Sequence, residues 1–109
     1  MARDPGLEEL LRDELGDRPG LSEKSMFGGR AFLLNGNLLC GARSDGMLVR
    51  LGKGNDGWAL ALPGVNQMLM GERTMHGWVR ANAELYGDDA LRRRLLDAAL
   101  VYVESLPAK

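Results

Sequence analysis

Apolar residues recur at helical spacing near both ends of the chain. The first set falls on one face of residues 7–15, after an Asp4 that can cap a helix and a proline suited to its first position. The second set spans residues 91–106 and follows two candidate caps, Gly87 and Asp88. The pattern therefore predicts a short amphipathic helix at the N-terminal end. It also predicts a longer C-terminal helix, to about Ser105, that can lie across a small sheet.

Between these helices the pattern is typical of strands separated by tight turns. Asn35-Gly36 and Asp45-Gly46 offer the positive φ angles that two-residue hairpins require, and Gly28-Gly29 indicates a bend or bulge. We predict strands at residues 23–27, 30–34, 38–43, 47–51, 65–70 and 74–82, with a short helix at 58–62. Connections this short allow only antiparallel pairing.

The predicted fold class follows from these elements. It is α+β with two layers, in which an antiparallel sheet of about five to six strands is covered by the N- and C-terminal helices. We expect residues 1–109 to form one domain, because 109 residues lie near the usual domain size.

Composition limits the functional classes. The formal net charge is -1, so no overall positive field draws the protein to nucleic acid or to an anionic membrane. The N-terminus lacks the apolar segment of a signal peptide, and no apolar run is long enough to cross a bilayer, so we expect a cytoplasmic protein with no membrane partner. The single cysteine, Cys40, cannot form an intramolecular disulfide, and with one histidine it cannot build a structural zinc site.

A series of short motifs resembles the N-terminal domain of the TfoX/Sxy family of bacterial competence regulators. The motifs are Met26-Phe27-Gly28-Gly29, then Phe32, Asn35-Gly36, Gly41 and Leu48-Val49-Arg50, then Gly71, Met75 and Gly77-Trp78-Val79, and finally Ser105-Leu106-Pro107 with Lys109. The resemblance covers about Leu7 to Lys109 and implies terminal helices packed on an antiparallel sheet. It also implies a stand-alone member, because the longer regulators carry a further C-terminal helical domain. A link to competence rests on resemblance only, and no catalytic residue set is carried over.

Two features are candidates for chemistry. Residues 52–57 satisfy G-x-G-x-x-G, yet Pro63-Gly64 stops the following helix before a dinucleotide-binding crossover could form, so we interpret them as a flexible loop. Cys40 and His76 are the only candidates for a nucleophile and its base. Cys40 lies in an apolar strand, and we expect it to be buried, unreactive and out of contact with His76.

We predict no catalytic, cofactor or metal site. Gly28 and Gly29 are expected to serve backbone geometry rather than phosphate binding.

The arginines offer an alternative, a local patch that binds nucleic acid or a small ligand. The candidates are Arg92, Arg93 and Arg94, together with Arg30, Arg43, Arg50, Lys53, Arg73 and Arg80. Spacing of four residues predicts instead that Asp88 pairs with Arg92, Asp89 with Arg93, and Arg93 with Asp97 on a solvated helix. Nucleic-acid binding is therefore the minority interpretation.

Methionine-rich sequence favours protein contacts. Met68, Leu69, Met70 and Met75 lie around one predicted hairpin, and such side chains form adaptable interfaces or fill cores. We expect Met75, Trp78 and Arg80 to be the residues that contact a partner, with Met75 and Trp78 exposed as anchors. The sequence thus favours a non-enzymatic regulatory or interaction domain whose partner is another protein or a second copy of itself.

Overall fold

A computed structural model describes residues 4–26 and 28–109 of the chain. The helices of these residues are α1 (Pro5–Leu15), α2 (Gly57–Leu60), α3 (Ala83–Tyr86) and α4 (Asp89–Glu104). The strands are β1 (Leu21–Met26), β2 (Gly29–Leu34), β3 (Asn37–Arg43), β4 (Gly46–Arg50), β5 (Val65–Met70) and β6 (Arg73–Ala81).

The six strands form one antiparallel sheet in the order β1-β2-β3-β4-β6-β5. The first four are consecutive hairpins, whereas β6 pairs with β4 and leaves β5 outside it. The predicted α+β fold, with about five to six antiparallel strands and helices at both ends, is confirmed with six strands. The two edges of the sheet are β1 and β5.

Side-chain caps begin the two longer helices. The Leu7 backbone N–H donates to Asp4 Oδ1 over 3.1 Å at the start of α1, and Gly16 ends this helix with a φ of 65°. The Leu91 backbone N–H donates to Asp88 Oδ1 over 3.1 Å, so Asp88 rather than Gly87 is the cap of α4.

The main core lies between the helices and one face of the sheet. Alternate residues of the central strands, such as Phe32, Val49 and Val79, are fully buried and join one apolar cluster with Leu11 of α1 and Leu95 of α4. A second, smaller cluster consists of buried Leu48, Met68 and Trp78, with Leu38 and Met75 partly buried beside them. Leu48 is the neighbour of Val49 along β4, so this cluster lies on the opposite, helix-free face.

Two local predictions hold only in part. Of the bend or bulge predicted at Gly28-Gly29, the bend is present and the bulge is not: Met26 pairs directly with Gly29, and Gly28 lies in the turn between them with a φ of 72°. Phe27, which the sequence motif also includes, lies outside the described residues. The strand predicted to reach Asn82 ends at Ala81, because the Asn82 side chain accepts from the Leu85 N–H over 3.1 Å and caps the unpredicted helix α3.

Candidate functional site

Met75, Trp78 and Arg80 all lie on β6, but they do not form an exposed row. Trp78 is only 6% exposed and packs with Leu48 and Met68, so the expectation that it is an exposed anchor is wrong. The physical reason is that the helix-free face carries apolar residues of its own, and burying the indole with them removes them all from water. Met75 and Arg80 are half-buried.

Exposed apolar surface lies instead at the end of β5. Leu69 is 51% exposed and Met70 is 40% exposed, whereas the preceding Met68 is fully buried. The methionine-rich hairpin is therefore divided between a core residue and a surface pair. The remaining large exposed apolar residue of the described chain is Val101, on α4.

A groove of about 530 Å³ adjoins this exposed pair. This groove, which we call the arginine groove, is lined by Arg43, Asp45, Asn66, Gln67, Leu69 and Arg80. Arg43 forms two hydrogen bonds of 2.9 Å with the Asp45 carboxylate, and Arg80 Nη1 donates to the Asp45 backbone carbonyl over 2.9 Å. No acidic side chain of residues 4–26 or 28–109 forms an ion pair with Arg80, which leaves its charge facing the groove. We call Asn66, Leu69, Met70 and Arg80 the β5 surface.

Of the β5 surface, the sequence singled out the three residues Leu69, Met70 and Arg80. It missed Asn66, and it also missed the pairing of Arg43 with Asp45 across a hairpin turn. Arg43 pairs with Gly46, so the two turn residues are Ser44 and Asp45 rather than the predicted Asp45-Gly46. The aspartate in this turn was a usable signal, because an arginine two residues before it is placed to reach its carboxylate.

The glycine-rich segment at residues 52–57 is held against β6. The backbone N–H groups of Leu51 and Gly52 both donate to the Gly77 carbonyl, over 2.7 and 3.1 Å. Helix α2 that follows has four residues, and the strand after it joins an antiparallel sheet. The described residues thus lack the parallel βαβ unit in which a G-x-G-x-x-G segment binds a dinucleotide.

Cys40 and His76 lie on different strands, and β4 separates them. Cys40 is fully buried on β3 and is aligned through Val49 with Val79 of β6, about 10 Å away at two strand spacings. His76 is exposed and lies three residues before Val79. Burial raises the pKa of the Cys40 thiol far above its ordinary value, which favours the unreactive protonated form. The predicted burial of Cys40 is confirmed.

The three consecutive arginines of α4 do not form one charged stripe. Arg92 is 6% exposed, and its guanidinium binds Glu14 Oε1, Asp89 Oδ1 and the Tyr86 carbonyl at 2.8 to 3.1 Å. Arg93 Nε binds Glu14 Oε2 at 3.1 Å. Arg92 therefore has a partner on its own helix, but it is Asp89, three positions away, rather than the predicted Asp88, and Glu14 of α1 supplies a second carboxylate that Arg93 shares.

Three other arginines, Arg30, Arg50 and Arg94, are engaged with separate partners. Arg94 stacks on the Trp58 ring at 4.5 Å from its centroid, and Arg30 Nε donates to Glu23 over 3.1 Å. Arg50 donates to the Leu38 carbonyl and lies 5.6 Å from the centre of the Tyr102 ring. These contacts place the arginines on both faces of the sheet and on α4, so they do not make one patch.

The glycines of the Met26–Gly29 motif have backbone roles. Gly28 adopts a φ of 72°, which L side chains rarely adopt, and a Cβ atom on Gly29 would overlap the Ala42 carbonyl of the neighbouring strand. Within residues 4–26 and 28–109 no group of three metal-ligating side chains lies together, and no helix there has the length and apolar character needed to cross a bilayer.

Comparison with known proteins identifies a family for this chain. The sequence model of the TfoX N-terminal domain matches residues 13–102 of the 109-residue chain. No curated protein and no solved structure gives a significant match. Because the match covers most of the sequence, the chain belongs to the TfoX N-terminal domain family.

Proposed function

We propose that residues 1–109 form a single TfoX N-terminal domain that acts as a non-enzymatic regulatory module in the cytoplasm, through contacts with protein. The relation to competence and DNA transformation comes from the family. The observation that carries the proposal is the β5 surface, where Leu69 and Met70 expose apolar side chains at an open sheet edge. Exposed apolar residues grouped at one place are typical of surfaces that bind other proteins.

The polar surroundings of this pair resemble the edge of an interface. Asn66 is exposed beside Leu69, and Arg80 presents its charge from the adjoining groove. An apolar centre with a polar rim is the usual anatomy of a protein interface, and arginine is enriched there. Trp78 supports this surface from beneath rather than contacting a partner, since it is packed with Met68.

Affinity capture with matched variants tests the proposal. Immobilised protein is exposed to extract of the source cells, and the captured proteins are compared for the parent, Leu69→Lys and Val101→Lys. Both substitutions place a lysine at an exposed apolar residue, but Val101 lies on α4. A protein captured by the parent and by Val101→Lys, but not by Leu69→Lys, supports the proposal. Equal capture by all three contradicts it.

A second candidate function is the binding of an anionic ligand or nucleic acid in the arginine groove. Its support is the groove itself, in which Arg80 carries a charge without an acidic partner among the described residues. Anisotropy of a labelled single-stranded oligonucleotide at low and high salt tests it. Binding that weakens with salt and is lost in Arg80→Gln favours this candidate over protein contacts, whereas binding that does not depend on Arg80 contradicts it.

A further inference from the structure

We infer that two copies of this chain pair through β5, edge to edge and antiparallel, so that their sheets join into one. This rests on the proposed function, because it assigns the β5 surface to protein contacts and names the partner as a second copy. The two strands would be related by a two-fold axis, the commonest symmetry of protein dimers.

The two edges of the sheet differ in how they are protected. Residues of β5 include neither a charged side chain nor a proline, which are the features that usually keep sheet edges from pairing. The opposite edge, β1, contains Glu23 and Lys24. Arg12 of α1 binds Glu23 at 2.8 Å beside that edge. Of the two edges, β5 is thus the one open to another strand.

The backbone of β5 is also regular enough to accept a partner. Its register with β6 shifts between Gln67 and Leu69, which pair with Val79 and Thr74 respectively. The chain takes two residue steps from Gln67 to Leu69 on β5 but five from Thr74 to Val79 on β6. The extra residues therefore belong to β6. Gly77 lies in this irregular part of β6 and has a φ of 86°. Its carbonyl accepts hydrogen bonds from the Leu51 and Gly52 backbone N–H groups, on the side of β6 that faces away from β5. The outer edge of β5 is left extended.

A second copy fits this edge better than a charged partner. Because β5 is uncharged, pairing it with itself brings no like charges together, and a strand rich in charge would find no complementary charge along it. Each copy also presents β5 already held in extended form by β6, so little chain entropy is lost on association. A disordered peptide would lose that entropy when it became a strand.

Self-pairing also covers the exposed leucine. With the two-fold axis at Met68, Gln67 of one copy lies opposite Leu69 of the other, because opposite residues of an antiparallel pair share one face of the sheet. Gln67 lines the arginine groove, so the leucine of the second copy comes to rest beside it. A six-residue strand offers an edge only about 20 Å long, so the dimer is expected to be weak and to depend on concentration.

Sedimentation velocity tests the inference on the full chain, between about 10 µM and about 1 mM. We expect the dimer fraction to rise with concentration. We expect Leu69→Lys to weaken the dimer at least about tenfold, because two lysines would then face an apolar interface. Val101→Lys is the matched control and should dimerise as the parent does. Circular dichroism checks folding, and Met70→Lys replaces Leu69→Lys if that variant does not fold.

A cross-linking experiment tests the register. Two single variants, Gln67→Cys and Leu69→Cys, are mixed and oxidised, with Val101→Cys in place of Leu69→Cys as control. The buried Cys40 does not compete for the disulfide. We expect a covalent dimer that contains both variants, and none with the control.

Specific outcomes overturn the inference. The inference is wrong if the chain stays monomeric throughout the concentration range. It is also wrong if neither Leu69→Lys nor Met70→Lys weakens the dimer. If the chain is monomeric but Leu69→Lys still abolishes capture of another protein, the dimer is wrong and the proposed protein contacts stand. If the chain is monomeric and capture does not depend on Leu69, both proposals fail.

Discussion

Arg92 of α4 and Glu14 of α1 form an ion pair in which Nη2 lies 2.9 Å from Oε1 and both side chains are about nine-tenths buried. The same guanidinium donates to the Tyr86 carbonyl over 2.8 Å. A charge removed from water in this way is tolerated only when its hydrogen-bonding groups find partners, as they do here. The contact joins α1, α3 and α4 through one side chain, so its main effect should be on stability.

Arg92→Ala should lower the free energy of unfolding by about 3–5 kcal/mol. The reason is that the buried Glu14 carboxylate would lose the guanidinium that offsets its removal from water. The neighbouring Arg93→Ala is the matched control. Arg93 binds the same carboxylate but is 67% exposed, so its loss should cost no more than about 1 kcal/mol. Urea denaturation of both variants measures the difference. Equal losses would show that burial does not decide the strength of these two contacts.

A second ion pair ties α1 to the sheet and makes stability depend on pH. The hydrogen bond from Arg12 lowers the pKa of Glu23 below its ordinary value of 4.5, against the opposing effect of partial burial. A carboxyl group whose pKa is lower in the folded chain stabilises the fold fully above the ordinary pKa. That stability is lost as the pH falls through the folded pKa.

Glu23→Gln should therefore reduce stability at pH 7 by about 1–2 kcal/mol, and its difference from the parent should shrink as the pH falls below 4.5. Denaturation at pH 7 and at a strongly acidic pH tests this. Glu9→Gln serves as control, because Glu9 is 68% exposed and contacts Arg12 at 3.5 Å. A difference for Glu23→Gln that stays constant over this range would contradict the linkage.

The sequence predicted features that depend on neighbouring residues. The Asp4 cap and the Asn35-Gly36 turn follow from chemistry within three or four residues, and both are present. The burial of Trp78 and the partner of Arg92 were predicted wrongly, since each depends on residues far away in sequence. The open edge at β5 could not be read from local pattern either, because it results from β6 pairing with β4.

The Met26-Phe27-Gly28-Gly29 motif offers a test of backbone geometry at Gly29. Gly29→Ala should destabilise the fold by about 1–3 kcal/mol, because the added Cβ would overlap the Ala42 carbonyl and force β2 and β3 apart. Gly57→Ala is a suitable control, since its Cβ would meet nothing within 4 Å. Thermal unfolding compares the two. If Gly29→Ala unfolded like the parent but lost binding of an anion, the glycine would serve a ligand instead of strand packing.

The reactivity of Cys40 separates an interaction domain from a thiol-dependent enzyme. Its thiol is fully buried, and burial raises its pKa, so the reactive thiolate forms only when the chain opens. Native protein at neutral pH should react with a thiol reagent at least about a thousandfold more slowly than denatured protein, in line with the small unfolded fraction of a stable domain. His76→Ala should not change this rate unless it changes stability, because β4 lies between the two strands. Fast native labelling that His76→Ala abolished would instead show an activated cysteine, and the non-enzymatic proposal would then be wrong.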